Sequence, residues 1–212
     1  MVTVLSQLCL RYIFFEELCE ERPSFILNSG KRYTVGKQFL RCTVAEKRIS
    51  IESGGCLRGV LSVPGDKSIS HRALLFAALA QGRSKICGLA DGADVASTRS
   101  CLEQLGVSIT GNSEETYVEG VGLHGLKAPE QALDCGNSGT TMRLLMGILA
   151  GQNFASQLVG DASLSSRPMG RISEPLQAMG AKMSLSEGRF APLNIQPSSL
   201  KGFNYDLPVA SA

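Results

Sequence analysis

Leu61–Gly82, LSVPGDKSISHRALLFAALAQG, is the stretch that decides how this chain is read. An apolar run from Leu61 to Val63 meets the turn pair Pro64-Gly65, and Asp66-Lys67-Ser68 leads into a helix. Ser68 is the expected N-cap, because a serine hydroxyl accepts from backbone N–H groups that the first turn leaves unpaired. Those N–H groups and the positive end of the helix dipole favour an anion. Lys67 and Arg72 add two full positive charges beside the same spot. From Ala73 to Ala80 the helix is apolar nearly all round, so burial is expected. A cationic, donor-rich mouth on a buried helix reads as a seat for a phosphorylated or carboxylated small molecule. The plainer reading is a strand–turn–helix connection with two solvated cations, since a helix N-terminus supplies donors without specificity.

Composition narrows the classes. The 212 residues suffice for one large domain or two small ones, and 43% hydrophobic with 19% charged residues fits a globular protein. A net charge of +2, with 6% aromatics and no Trp, gives no footing for nucleic acid. No apolar run approaches the length that spans a bilayer. The seven cysteines are odd in number and include no C-x-x-C pair. That pattern points to reduced thiols in a cytoplasmic protein, without a disulfide framework or a zinc site. Residues 1–48 read as an N-terminal extension of unknown role, unlike a secretory signal or a transit peptide. One amphipathic helix followed by irregular chain through Pro23, Asn28 and Gly30 is expected there, consistent with translation from an upstream start.

From residue 49 to 212 the pattern is regular and repeats. The first unit reads as a strand near Leu57–Val63, a helix Ser68–Gln81, a strand Lys85–Leu89, a helix Asp94–Leu105, and strands Val107–Thr110 and Thr116–Val121. The second reads as a strand around Ala132–Cys135, a helix Ser138–Ala150, a strand Ser156–Val159, a helix Ser166–Met179, and strands Lys182–Leu185 and Leu193–Ile195. The second helices end alike, Leu102-Glu103-Gln104-Leu105-Gly106 against Leu176-Gln177-Ala178-Met179-Gly180, with each glycine where a left-handed cap is expected. Two βαβαββ units of roughly seventy residues follow, longer than the usual solenoid periods. A third is expected to begin at Tyr205.

The second unit repeats the anion-seat chemistry. Gly136-Asn137-Ser138-Gly139-Thr140-Thr141 opens its apolar helix with Asn137 or Ser138 as cap, and Arg143 sits one turn in. Gly139 lets a ligand approach the backbone closely. Ser165-Ser166-Arg167-Pro168 gives the second helix a basic entry, with Pro168 suited to a first helical turn. Helices apolar round most of their circumference belong inside, with sheets around them. Asp66 and Asp161, at strand ends, are expected to shape turns.

Three other patterns carry less. Gly120-Val121-Gly122-Leu123-His124-Gly125 fits G-x-G-x-x-G but runs into Leu126-Lys127-Ala128-Pro129 rather than a helix. Gly65-Asp66-Lys67-Ser68 lacks the upstream glycine of a P-loop. His71 and His124 are too isolated for a metal site or a triad, and His71 is expected to pack or hydrogen-bond beside the helix mouth.

PGDKSISHR, GNSGTTMRL and GDASLSSRPMGR, in this order and spacing, resemble the EPSP synthase (5-enolpyruvylshikimate-3-phosphate synthase) family over residues 49–212. The resemblance implies an inside-out α/β barrel of βαβαββ repeats, of which about two are present here. It also implies transfer of the enolpyruvyl group of phosphoenolpyruvate to the 5-hydroxyl of shikimate 3-phosphate, without metal or organic cofactor. It assigns Lys67 to both substrates, and Ser68, Arg72, Ser211 and Ala212 to shikimate 3-phosphate. Gly139 and Arg167 match phosphoenolpyruvate contacts, while Asn137, Thr140 and Arg143 match positions that shape that pocket. Lys67, Arg72 and Arg167 are expected to converge on one hollow.

The family's general base and its partner carboxylate match no position here, so the isolated chain is expected not to turn over. A non-catalytic binding fragment, or half of a split enzyme with a complementary C-terminal half, is the alternative of a different class. The sister transferase acting on UDP-N-acetylglucosamine is disfavoured by Lys67-Ser68 and by the absence of Cys between Gly160 and Arg171. Because Gly139 is not alanine, a completed enzyme is expected to be glyphosate-sensitive.

Overall fold

The computed structural model describes Val60, residues 63–205 and the backbone of four short strands before them. These residues fall into two compact units, divided between Val63 and Pro64. In the smaller unit β1 (Ser24–Leu27) and β2 (Lys31–Thr34) form an antiparallel hairpin, and β3 (Thr43–Val44) and β4 (Lys47–Arg48) a shorter one. This corrects the expectation of irregular chain after Pro23. Ser-Phe-Ile-Leu and Lys-Arg-Tyr-Thr carry aromatic and β-branched residues on either side of Asn28-Ser29-Gly30, a composition that suits paired strands around a turn. The helix expected in the first twenty residues lies outside the described residues, as does most of the strand expected at Leu57–Val63.

The larger unit opens with α1 (Lys67–Leu79), β5 (Gln81–Cys87), α2 (Ala93–Gln104), β6 (Ser108–Gly111) and β7 (Glu115–Val121). It continues with β8 (Leu133–Asp134), α3 (Gly139–Ala150), β9 (Ser156–Val159), α4 (Ala162–Ser165) and α5 (Gly170–Ala178). The strands β10 (Lys182–Ser186) and β11 (Phe190–Gln196) complete it. One sheet has the order β5-β7-β6, antiparallel throughout; the other runs β10-β11-β9-β8. Only β8 and β9 are parallel, and α3 is the crossover such a pair needs.

Alternation in the strands turns one face of each sheet inward. Ser84 and Ile86 of β5, Thr116 and Val118 of β7, and Ala191, Leu193 and Ile195 of β11 are buried, while their neighbours are partly or fully exposed. The first sheet lays its inner face on α1, the second on α3, and α2 packs against both helices. One continuous core results, including Leu74, Leu102, Leu145, Leu149, Leu158 and Leu193. Truncating any of these fully buried leucines to alanine costs about 2–5 kcal/mol.

Gly106 and Gly180 hold φ of 87° and 101°, so both second helices end in the left-handed residue expected of them. Gly65 is required for a different reason. A Cβ there would stand 2.0 Å from the Gly88 carbonyl oxygen, so only glycine lets the turn before α1 rest against the end of β5.

Three expectations need correction. Asp66, not Ser68, caps α1; the helix starts one residue early because the aspartate already satisfies the Ile69 N–H. The helix expected at Ser166–Met179 begins only at Gly170, as α5; Ser166 to Met169, with Pro168 among them, are not helical, and the unexpected short helix α4 precedes them. Proline disfavours helical backbone at the residue before it, here Arg167, and Asp161 caps the short helix separately. Finally, α1 is not buried all round: Arg72 is exposed and Phe76 is 69% exposed, on the side that neither sheet covers.

Candidate functional site

The site is built at the N-termini of α1 and α3. At α1 the Asp66 Oδ1 accepts from the Ile69 N–H at 2.7 Å. Ser70 ties this end to the chain after β5, donating to the Asp66 carbonyl at 2.7 Å and accepting from the Ala90 N–H at 2.9 Å. Lys67, Ser68 and Arg72 are exposed around this mouth. Lys67 is not free, because its Nζ lies 2.9 Å from Asp94 Oδ2 in the first turn of α2. An ammonium has three N–H donors, so this pair leaves two for a ligand. Ser68 and Arg72 have no hydrogen-bond or ion-pair partner for their side chains among the described residues.

At α3 the cap is Ser138, buried, whose Oγ accepts from the Thr141 N–H at 3.2 Å. Gly139 is the first helical residue, and a Cβ there would stand 2.9 Å from Arg143 Nη1. The Arg143 guanidinium therefore lies over the glycine, with half-buried Thr140 alongside. Asn137, just before the cap, receives Arg167: Nη2 donates to Asn137 Oδ1 at 2.6 Å, and also to Ser163 Oγ at 3.1 Å. Both partners are neutral, so the guanidinium is held in place without being neutralised by them. Asn137 Nδ2 in turn donates to Asp161 Oδ2 at 2.7 Å. That hydrogen bond first, and the Leu164 N–H second, hold the Asp161 carboxyl below its ordinary range. Asp66 and Asp161, expected to shape turns, are instead helix N-caps.

The two mouths are joined through buried hydroxyls. Thr141 Oγ1, on α3, lies 3.3 Å from the Asp94 carbonyl and 2.7 Å from Thr98 Oγ1 on α2. Thr98 Oγ1 is 2.6 Å from Nδ1 of fully buried His71 on α1. Burial favours the neutral imidazole and lowers its pKa, with Asp94 opposing the shift. The expectation that His71 hydrogen-bonds beside the mouth is thus met.

Lys67 and Arg167 each reach the α3 mouth through one intermediary, Asp94 and Asn137 respectively. Arg72 makes no contact tying it to either, and Ser211 and Ala212 lie outside the described residues. Sequence reasoning missed Asp94, Thr98, Thr141 and Ser163. An acid in a helix's first turn is ordinary dipole pairing, and no local signal linked Asp94 to a lysine 27 positions away.

Elsewhere, a surface cavity of about 550 Å³ opens at the far end of α1, lined by Leu79, Gln81, Val121, Leu123 and His124, and no residue of the two helix mouths lines it. The glycines from Gly120 to Gly125 end β7 and run into turn and irregular chain, with no helix following. Among the described residues no three His, Cys, Asp or Glu side chains gather as they would around a metal ion. Cys101 and Cys135 are buried free thiols; contact with Cys101 first, and burial second, push the Cys135 thiol up. No helix among the described residues is long and apolar enough to cross a membrane.

Helices packed against the inner faces of two sheets, with the N-termini of α1 and α3 joined through α2, define an α/β protein of the enolpyruvyl transferase type. The chain belongs to the EPSP synthase family, whose sequence profile, described as EPSP synthase (3-phosphoshikimate 1-carboxyvinyltransferase), matches residues 51–212. It is 56% identical over 157 residues to the 3-phosphoshikimate 1-carboxyvinyltransferase of Herpetosiphon aurantiacus, covering 74% of this chain and 36% of that protein. The protein of the same name from Alkalilimnicola ehrlichii is 54% identical over 164 residues, covering 76% of this chain and 37% of that one. The solved EPSP synthase of Acinetobacter baumannii superposes with a TM-score of 0.69 at 50% identity, over 72% of this chain and 35% of that one. The family and fold expected from the three motifs are therefore borne out. The chain spans a little over a third of the length of the curated relatives it matches.

Proposed function

We propose that this protein serves, in the cytoplasm, the transfer of the enolpyruvyl group of phosphoenolpyruvate to the 5-hydroxyl of shikimate 3-phosphate, releasing phosphate. The observation that carries the reading is the joined pair of helix mouths, with Lys67 and Arg167 each one contact from the α3 N-terminus. Shikimate 3-phosphate is held by Lys67, Ser68 and Arg72 at α1, with Ser211 and Ala212. Phosphoenolpyruvate is held by Lys67, Gly139 and Arg167 at α3, in a pocket shaped by Asn137, Thr140 and Arg143. Both ligands carry phosphate and carboxylate, and each charge-assisted hydrogen bond contributes roughly 1.5–3 kcal/mol. Lys67, with two donors left beside Asp94, bridges the two seats.

In the reaction the 5-hydroxyl of shikimate 3-phosphate attacks the carbon of phosphoenolpyruvate that bears the phosphate while a proton adds to the methylene carbon. Loss of phosphate and of a methyl proton from that tetrahedral intermediate restores the double bond. A general base must lie within hydrogen-bond reach of the hydroxyl. Among the described residues, three carboxylates beside these mouths are committed, Asp66 and Asp161 to caps and Asp94 to Lys67. That favours a second statement: the 212-residue chain binds but does not turn over unaided, and a complementary C-terminal half supplies the base.

Calorimetric titration of the purified chain with shikimate 3-phosphate tests the seat, with binding expected and no heat refuting it. Phosphate release from both substrates by the chain alone would sink the second statement.

A further inference from the structure

The hydroxyl string between the mouths has a direction. Thr141 Oγ1 has one proton and three oxygens within reach, Ser138 Oγ at 2.7 Å, Thr98 Oγ1 at 2.7 Å and the Asp94 carbonyl at 3.3 Å. Ser138 Oγ already accepts from the Thr141 N–H as the cap of α3. With its proton directed that way, Thr141 accepts from Thr98, and Thr98 accepts from an N–H at His71 Nδ1. His71 Nε2 then carries only a lone pair, and it is the ring atom that is buried without a partner. The opposite direction would strand a buried N–H, which proteins tolerate less readily than an unused acceptor. The tautomer is thus assigned from the partners of the ring and the hydroxyls.

His71, Thr98, Ser138 and Thr141 are all fully buried, and they come from three different helices. Apolar packing between helices tolerates small slides; directional hydrogen bonds do not. One end of the string lies beside Arg72 and one turn beyond Lys67. The other lies two residues from Gly139 and two from Arg143. We propose that neutral His71, donating through Nδ1–H to Thr98 and on to Thr141, is a positioning residue that sets the α1 seat against the α3 seat. The inference rests on the reading of those mouths as two substrate seats, because its consequence is the separation of the two ligands. Misplacing reacting groups by an ångström is enough to disable a two-substrate reaction. The charged groups that face the ring are Asp94 and Lys67, which act on it with opposite sign.

The test uses paired variants in the full 212-residue chain. An asparagine amide places an N–H where Nδ1 stands, so His71→Asn keeps the string, while His71→Leu fills the space and breaks it. Thr98→Ser and Thr98→Val form a second pair, should either histidine variant fail to fold. Affinity for shikimate 3-phosphate is read by calorimetry, and the amide resonances of Gly139 and Thr141 by NMR. His71→Leu and Thr98→Val are expected to weaken binding roughly tenfold, the effect of one net hydrogen bond, and to shift both α3 amides. His71→Asn and Thr98→Ser are expected to keep affinity and both amide positions. Nitrogen-15 spectra of the wild-type imidazole should show the Nδ1–H tautomer. Unmoved α3 amides in the string-breaking variants, equal behaviour within each pair, or an Nε2–H tautomer would each overturn the proposal. A wild-type chain that binds no shikimate 3-phosphate, yet shows the expected amide shifts, would count against the substrate reading and leave the mechanical link standing.

Discussion

The mouths of α1 and α3 share a sequence pattern and are capped by unlike means. At α1 the cap is a carboxylate, exposed, and the helix's positive end is spent on it. Whatever attraction for anions remains there comes from side chains, Lys67 and Arg72. At α3 the cap is a buried, neutral hydroxyl, the first helical residue is glycine, and Arg143 lies over it. At α3 no charged cap opposes the helix dipole; the Gly139 N–H donates to the Asn137 carbonyl and the Thr141 N–H to Ser138 Oγ, and Arg167 is held nearby by neutral partners. The lesson is that a repeated sequence pattern does not repeat its electrostatics. One residue, Asp66 against Ser138, decides whether the cap itself puts a negative charge at the helix's positive end.

If that contrast is right, removing a side-chain charge harms α1 most. Lys67→Ala should weaken shikimate 3-phosphate binding by about 100-fold, the loss of two charge-assisted bonds, read by calorimetry. A change under threefold would place the charge elsewhere.

The caps sharpen the contrast in stability rather than affinity. Ser138→Ala strands the buried Thr141 N–H and should cost about 2 kcal/mol in urea unfolding. Asp66→Ala, at an exposed cap, should cost about 1 kcal/mol and leave the positive helix end unopposed. Shikimate 3-phosphate binding should therefore suffer less in Asp66→Ala than stability does.

Gly139→Ala probes the close approach at α3. The new methyl meets the far end of a flexible arginine, so the fold should be retained, with at most about 1 kcal/mol gained from helix propensity. Arg143 must swing away, and phosphoenolpyruvate affinity should fall severalfold. In an enzyme completed with a C-terminal half, wild-type Gly139 should give glyphosate sensitivity and alanine should relieve it. Activity of the glycine form persisting at inhibitor levels that stop other glycine-bearing relatives would contradict this.

The smallest expected effects are those of pH. His71 has a lowered pKa in the folded chain, so the unfolded chain binds the extra proton first. Its contribution is complete above about pH 6.5 and is lost as the pH falls toward the folded value. His71→Asn should flatten that part of the stability curve. Asp161 is also lowered, so its contribution is present above about pH 4 and lost as acid protonates it. Asn137→Ala should narrow that second loss.

Periodicity and caps made much of this architecture legible. The glycines after α2 and α5, the serine before α3 and the strand Ser156–Val159 all follow from signals within a few residues. What was not legible depended on distance or on competition. Asp66 and Ser68 are both good caps, and only the backbone's path chose between them. Lys67–Asp94 spans 27 positions and Thr98–Thr141 spans 43, beyond any local pattern. The exposure of Phe76 is set by what lies against α1, which the helix's own residues do not encode.

Gly65 carries a consequence of its own. With the Gly88 carbonyl occupying the space of a missing methyl, the turn before α1 is seated like a wedge against the neighbouring strand's exit. Substituting alanine would lift Pro64 to Lys67 bodily, and the ammonium that both substrates are proposed to share would travel with them. The placement of Lys67 is therefore gauged by a single absent carbon, two residues before it.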